Sequence, residues 1–405
     1  MTTKRPAPAA WLGATNSITQ QFLAAGGRPD VVSLAGGLPA AELYPIAEIE
    51  QATKRALERH GSAALEYGSV EGFPPLRALI AERFSAETGG RFTASNVLLT
   101  SGSMQALDLL GKVLIDPGEL IVAQAPTYLG ALDAWRPRRP SYEALDWSDP
   151  DAALMAKAKF VYSVPNYSNP TGVLVPESQR VALLDAVAKA GTWLVEDDPY
   201  LTMQLDGPPP PSILSAAARR GGRPYDGPVI YLGTVSKSLV PGLRVGWTLA
   251  ESDMIQKLVL AKQSTDLSSS MFAQAVAFEL LERNVDVAHS AGIVPAYRER
   301  RDALCSEAAR HLSDWFEWEV PPGGMFVWMR SKGNAINTDE LYRFAMEEKV
   351  AFVPSSVFDF TGKDRHAMRV NFTRCSPETI REGVRRLGRA IEAYVSSRPQ
   401  LARRG

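Results

Sequence analysis

Thiols and imidazoles are scarce in this sequence. Cys305 and Cys375 stand far apart, and His60, His289, His311 and His366 are scattered without metal-ligand spacing. Neither a disulfide framework nor a metal site is expected from them. Charge of one sign is lacking too: 44 Lys and Arg balance 45 Asp and Glu, for a net charge of -1. That removes the basic footprint by which a nucleic-acid binder neutralises phosphates. No stretch approaches the roughly 18 apolar residues of a membrane span. The opening "MTTKRPAPAAWLGATNSITQ" carries charge but no apolar h-region. Repeats and low-complexity tracts are missing, and no winged-helix-sized segment is attached to either end. The expectation is a cytoplasmic protein with no metal, membrane or nucleic-acid partner.

What is present is ordinary globular material: 405 residues, 45% hydrophobic and 22% charged, enough for a large core and a smaller lobe. From about residue 97 to residue 249, short apolar runs alternate with helical patterns. The runs are "NVLLT", "ELIVAQ", "FVYSV", "TWLVE", "VIYLG" and "LRVGWTLA"; between them, "SMQALDLLGKVL" and "ESQRVALLDAVAKAG" repeat apolar residues at three and four. Strands joined by crossover helices in a mostly parallel sheet follow from this alternation. Beyond residue 250 helices carry the chain past residue 310. "FEWEVPPGGMFVWMR" then reads as two strands about a turn, followed by a helix at "NTDELYRFAMEEKV", a strand at "AMRVNFT" and a last helix capped by Ser376 with Pro377 in its first turn.

Four stretches fall at expected strand ends, where ligands of open parallel sheets bind. In "TSGSMQALDLL", Gly102 permits a tight turn and Ser103 and Met104 open a helix whose free N-H groups suit an anion; an ordinary helix cap reads the same way. In "LVEDDPYLTM", Glu196, Asp197 and Asp198 follow an apolar strand, as a carboxylate facing a ligand would, or as a solvated loop would. "SVPNYSNPTG" places Asn169 in a Pro-constrained turn. "YLGTVSKSLVPGLRVGW" sets Lys237 and Arg244 between two apolar runs. A lysine there loses solvation and becomes a nucleophile for an aldehyde, while a guanidinium is suited to hold a phosphate. Each stretch alone is a turn; their order along one alternating sheet suggests a bound phosphorylated aldehyde.

In that order the motifs resemble fold-type I, pyridoxal 5'-phosphate (PLP) dependent aminotransferases of class I/II, in the branch of the 2-aminoadipate, aromatic and kynurenine-type enzymes. The resemblance runs from "VVSLAGGLPAAELYP" through "EYGSVEGFPPLR", "SGSMQALDLL", "PTYLGAL", "PNYSNPTG", "EDDPY" and "GTVSKSLVPGLRVGW" to "MRVNFTRCSPE". It implies an α/β fold: a large domain with a mostly parallel seven-stranded sheet flanked by helices, plus a smaller α+β domain. The implied division is an N-terminal arm and helix over 1–45 that serve the small domain and the site, a large PLP-binding domain over 46–295, and a small domain over 296–405. Lys237 is implied as the residue that holds the cofactor and shuttles the proton. Asp197 would serve the pyridine nitrogen, Tyr200 and Asn169 the ring 3'-oxygen, and Tyr128 the ring face. Gly102, Ser103, Met104, Thr234, Ser236 and Arg244 would hold the phosphate, joined by Tyr67 from a neighbouring subunit, which implies a homodimer with shared sites. Arg369 would take the substrate carboxylate, assisted by Asn169 and the backbone near Gly37.

Two departures stand out. The family often reads Gly-Ser-Gln where this chain has Gly102-Ser103-Met104, so one side-chain contact to phosphate is lost. In the N-terminal stretch "NSITQQFLAAGG", 2-aminoadipate enzymes carry an arginine for the acidic substrate side chain; here Thr19, Gln20 or Gln21 stands there, represented below by Gln20. A buried dicarboxylate without a partner is costly, which favours neutral, aromatic or branched donors over acidic ones. A PLP aminotransferase working by a ping-pong exchange between an amino acid and a 2-oxo acid is expected. A lyase, decarboxylase or oxidase on the same fold, and a PLP-binding sensor domain, remain as alternatives.

Overall fold

The apolar runs between residues 97 and 249 assemble into one seven-stranded sheet in the computed structural model, which describes residues 6–14 and 28–398. A short strand β1 (Val32–Ser33) precedes it. The sheet contains β2 (Val97–Thr100), β3 (Leu120–Ala123), β4 (Ser141–Ala144), β5 (Ala158–Ser163), β6 (Trp193–Asp197), β7 (Val229–Thr234) and β8 (Gly246–Leu249). Their order across the sheet is β2-β8-β7-β6-β5-β3-β4, parallel throughout except that β8 runs antiparallel to both β2 and β7. Six of the seven match the expected runs. The seventh, β4, reads "SYEA" on an edge and is largely exposed, so no apolar run marks it.

Strands β2, β5, β6 and β7 are buried almost throughout, because helices cover both faces of the sheet. One apolar cluster holds Leu107, Leu110, Trp135, Phe160 and Tyr162; the other holds Leu76, Ile80, Phe84, Leu183 and Tyr231. Each such side chain contributes roughly 1.5–3 kcal/mol by leaving water. The helices Ser103–Leu114 and Glu177–Ala190 form where the three-and-four spacing places them.

After β8 come helices Ser252–Gln263, Met271–Glu282 and Val285–His311. The last of these, 27 residues long with Pro295 inside, packs against the final helix Pro377–Ser396. Ser376 caps that final helix by accepting from the Thr379 N-H. A second, four-stranded antiparallel sheet is built from β9 (Phe316–Trp318), β10 (Phe326–Ser331), β12 (Val353–Pro354) and β13 (Ala367–Asn371), while β11 (Val350–Ala351) pairs in parallel with β1. That pairing returns residues 31–37 to the C-terminal part of the chain. Among the described residues no helix is long and apolar enough to cross a membrane, and no group of three or more His, Cys, Asp or Glu could hold a metal ion.

Candidate active site

Strands β2, β5, β6 and β7 end at Thr100, Ser163, Asp197 and Thr234, and the loops that follow carry most of the expected side chains. Gly102 has φ 77°, in the left-handed region that glycine adopts without strain, and it leads into the helix Ser103–Leu114. No side chain caps that N-terminus, no acidic residue lies in its first turn, and the Ser103 hydroxyl is buried without a partner. Free N-H groups, a hydroxyl and the positive helix end therefore face one spot.

Arg244 reaches the same spot from the turn that precedes β8. A short turn over Pro241–Leu243 ends with Arg244 at φ 53°, and its Nη2 donates to the Ser101 carbonyl at 3.2 Å. A Cβ on Gly102 would lie 2.7 Å from that Nη2, so the glycine keeps open the space beside the guanidinium. Thr234 and Ser236 stand below, their hydroxyls 2.9 Å apart and both residues buried. Met104 is exposed, and its sulfur accepts from the Tyr128 hydroxyl at 3.5 Å. The expected departure at Met104 is thus a thioether turned to Tyr128, with the backbone N-H left in the helix end.

Lys237 lies in the loop after β7. Its Nζ donates to the Gly37 carbonyl at 2.7 Å. Burial, with Arg369 and Arg244 nearby, lowers the amine to about 8, so a sizeable neutral fraction exists near neutral pH. Arg369 comes from β13 and is 8% exposed. Its Nη1 donates to Asn169 Oδ1 at 2.7 Å and its Nη2 to the Ala35 carbonyl at 2.6 Å. The guanidinium lies 4.2 Å from the Phe326 ring centroid and 4.9 Å from that of Phe358. Asn169 Nδ2 in turn donates to the Tyr200 hydroxyl at 3.5 Å. Burial lowers Arg369 to about 10 and raises the Tyr128 hydroxyl to about 12.

The three carboxylates of "EDDPY" are all buried, which removes the solvated-loop alternative. Only one of them faces this group. Glu196 accepts from the N-H groups of Ile213 and Leu214, at 2.9 and 2.7 Å, and thereby caps the helix Ile213–Arg220. Asp198 accepts from Asn166 Nδ2 at 2.8 Å and the Tyr231 hydroxyl at 3.0 Å. Asp197 accepts at Oδ2 from the Tyr162 hydroxyl at 2.8 Å, and its buried Oδ1 has no partner. Burial raises Asp197 to about 7 against the opposing pull of Tyr162.

The geometry therefore brings together Gly102, Ser103, Met104, Tyr128, Asn169, Asp197, Tyr200, Thr234, Ser236, Lys237, Arg244, Arg369 and the Gly37 carbonyl. Tyr67 is 86% exposed on its own protomer, and Gln20 lies outside the described residues. Tyr162 joins them without having been marked by any motif; its only signal is a phenol in a buried strand, whose hydroxyl needs a partner. Neither Arg244 nor Arg369 has an acidic partner among the described residues. With two unpaired guanidiniums, an anion-receptive helix end, an amine of lowered basicity and one orphaned carboxylate oxygen, the residues fit a phosphorylated aldehyde with a basic ring nitrogen and a second, carboxylate-bearing molecule.

The sequence matches the family "Aminotransferase class I and II" over residues 29–387. It is 39% identical over 377 residues to aromatic-amino-acid aminotransferase 1 of Thermococcus litoralis, covering 90% of this chain and 88% of that one. It is 38% identical over 378 residues to a 2-aminoadipate transaminase of Thermus thermophilus, covering 91% and 92%. Among solved structures, an alpha-aminoadipate aminotransferase of Thermus thermophilus complexed with N-(5'-phosphopyridoxyl)-L-leucine superposes with a TM-score of 0.85 at 37% identity, over 96% of this chain and 98% of the other. The chain belongs to the class I and II aminotransferases: it is a pyridoxal 5'-phosphate-dependent aminotransferase of fold type I.

Proposed function

We propose that the enzyme runs a ping-pong exchange, in which an L-amino acid leaves as its 2-oxo acid before a second oxo acid enters, and that neutral, aromatic or branched donors are preferred to acidic ones. The observation that carries this reading is the convergence of Lys237 and Arg369 on the carbonyls of Gly37 and Ala35, with Asn169 joined to both Arg369 and Tyr200. Bound PLP supplies an aldehyde that takes up the amino group and a ring that withdraws electrons from the substrate Cα.

The chain does the rest. Lys237 would anchor the cofactor and take up and return the substrate Cα proton, a task suited to an amine near 8. Asp197 would keep the ring nitrogen protonated through its charge. Tyr200 and Asn169 would serve the ring 3'-oxygen, and Tyr128 the ring face. The backbone at Gly102 and Met104, with Ser103, Thr234, Ser236 and Arg244, would hold the phosphate. The forked Arg369 takes the substrate carboxylate, with Asn169 and the Gly37 backbone alongside, and so fixes which Cα bond is labilised. Donor preference is supported by Gln20 and its neighbours in place of a basic residue, and by Phe326 and Phe358 flanking Arg369. The relative named for aromatic amino acids is in keeping with it, while the two relatives named for aminoadipate point to acidic donors.

The exposed Tyr67 completes the reading: it serves the phosphate of a second protomer, so the working unit is a homodimer with shared sites. The division at 1–45, 46–295 and 296–405 is proposed with it, the later boundary falling at Pro295 inside the helix Val285–His311. A cytoplasmic location is proposed as well, in keeping with the unpaired thiols of Cys305 and Cys375.

The test mixes purified yellow holoenzyme with single L-amino acids in the absence of any oxo acid and follows loss of the cofactor's visible band. Aromatic and branched donors are expected to bleach it faster than 2-aminoadipate, with pyridoxamine phosphate accumulating. No bleaching with any amino acid overturns the exchange, and fastest bleaching with 2-aminoadipate overturns the donor preference.

A further inference from the structure

We propose that Tyr162 is a positioning residue for Asp197, and that Tyr162 and Trp135 tie this carboxylate to the helix Ser103–Leu114, so that the two ends of the cofactor site are held at a fixed separation. The proposal rests on the reading that Asp197 serves the ring nitrogen.

The contacts form one continuous train. Tyr162, on β5 and buried, donates its hydroxyl to Asp197 Oδ2 at 2.8 Å. That is the carboxylate's one side-chain partner among the described residues, and it leaves Oδ1 buried and unpaired. A carboxylate with one oxygen occupied cannot rotate freely, so a single oxygen remains for an incoming N-H donor. The Tyr162 ring meets Trp135 edge to face, with centroids 5.1 Å apart and planes at 88°. Trp135 is fully buried, and its Nε1 donates to the Leu107 carbonyl at 2.9 Å. Its ring fills the place a side chain would take on Gly111, where an added Cβ would lie 2.8 Å from Trp135 Cδ1. Leu107 and Gly111 belong to the helix whose open N-terminus at Ser103 is the phosphate end.

Buried side chains in such contact transmit displacement because close-packed interiors hold no slack. The hydrogen bond from Tyr162 also favours the ionised carboxylate against the burial that disfavours it.

The experiment compares apo full-length variants for affinity toward PLP and toward the PLP analogue whose ring nitrogen is replaced by carbon. Asp197→Asn tests the underlying reading: it is expected to weaken PLP and spare the analogue, and equal or absent effects overturn that reading. Tyr162→Phe tests the proposal. It is expected to weaken PLP by roughly tenfold to a hundredfold, the range for a hydrogen bond to a charged group, with a change of less than about threefold for the analogue. Equal weakening of both cofactors indicates plain structural damage and overturns the proposal, as does no weakening at all while Asp197→Asn discriminates. If Tyr162→Phe yields no soluble protein, Trp135→Phe keeps an aromatic ring against Tyr162 but drops the anchor to Leu107. It is expected to show the same selective loss in smaller degree, and a non-selective loss or none overturns the proposal.

Discussion

Asp197 and Asp198, adjacent in the chain, turn to opposite sides of the central sheet. Asp197 accepts from Tyr162, in one apolar cluster, and Asp198 accepts from Tyr231, in the other. Strand alternation separates the two carboxylates; each keeps a buried, unpartnered Oδ1, and the one on the Tyr162 side is the one proposed for chemistry.

Burial raises Asp197 to about 7, above the roughly 3.9 of an unfolded chain. A carboxyl shifted upward contributes stability that is complete below the unfolded value and is lost as pH rises through the folded one. In cofactor-free protein, Asp197→Asn removes that loss. The variant is therefore expected to gain melting temperature relative to wild type as pH rises from about 4 to about 8, by about 2–4 °C. Thermal melts of the apo pair across that range check the sign; a difference that shrinks with rising pH overturns it.

The lysine shifts the other way. With its folded value lowered to about 8, Lys237 supplies progressively less neutral amine below that pH. Reloading of apo enzyme with PLP is expected to slow by roughly tenfold per pH unit well below 8 and to level off above it. Stopped-flow absorbance measures this. Lys237→Ala is expected to lose at least roughly a hundredfold in turnover, the scale of general acid-base catalysis.

Gly102 and Gly89 offer a controlled comparison. Both have positive φ, 77° and 71°, but a Cβ on Gly102 meets Arg244 while one on Gly89 meets nothing within 4 Å. Alanine is strained at both positions, by about 1–2 kcal/mol at Gly89, which is in αL, and by about 1–3 kcal/mol at Gly102, whose ψ of 170° lies outside it. Only Gly102→Ala is expected to weaken PLP, by tenfold or more in order of magnitude. Titrating apo variants with PLP, alongside melting curves, separates strain from loss of the anion site.

The proposed sharing of sites between protomers is tested by mixtures. A protomer with Lys237→Ala lacks its own lysine but offers an intact Tyr67, and a protomer with Tyr67→Ala does the reverse. Hybrids of the two contain one native site, so remixing them is expected to recover activity well above that of either parent. Activity that merely averages the parents argues against a Tyr67 contribution across the dimer.

Much of this architecture is legible in the sequence because buried parallel strands write themselves as apolar runs: β2, β5, β6 and β7 have hardly an exposed residue. Strand β4 leaves no such trace, since an exposed edge strand needs no apolar face. The motif residues Lys237, Arg244, Asn169 and Arg369 stand out as polar groups at strand ends and in motif context. Glu196, capping a helix that begins at Ile213, is told from Asp197 in the sequence by the motif resemblance alone, because its partners are backbone N-H groups of a distant segment. Tyr162 is hidden for a related reason: within "FVYSV" it reads as strand filler, and its role depends on a carboxylate one strand away.

The carbonyls of Ala35 and Gly37 hold Arg369 and Lys237 through the main chain. A carbonyl is supplied by any residue type, but the positions are still constrained: Ala35 is buried, and a Cβ on Gly37 would lie 3.2 Å from the Phe326 ring that flanks Arg369. Of the residues from 35 to 38, only Leu38 is exposed, at 45%, so substitution there leaves the main-chain tethers of the two cations untouched.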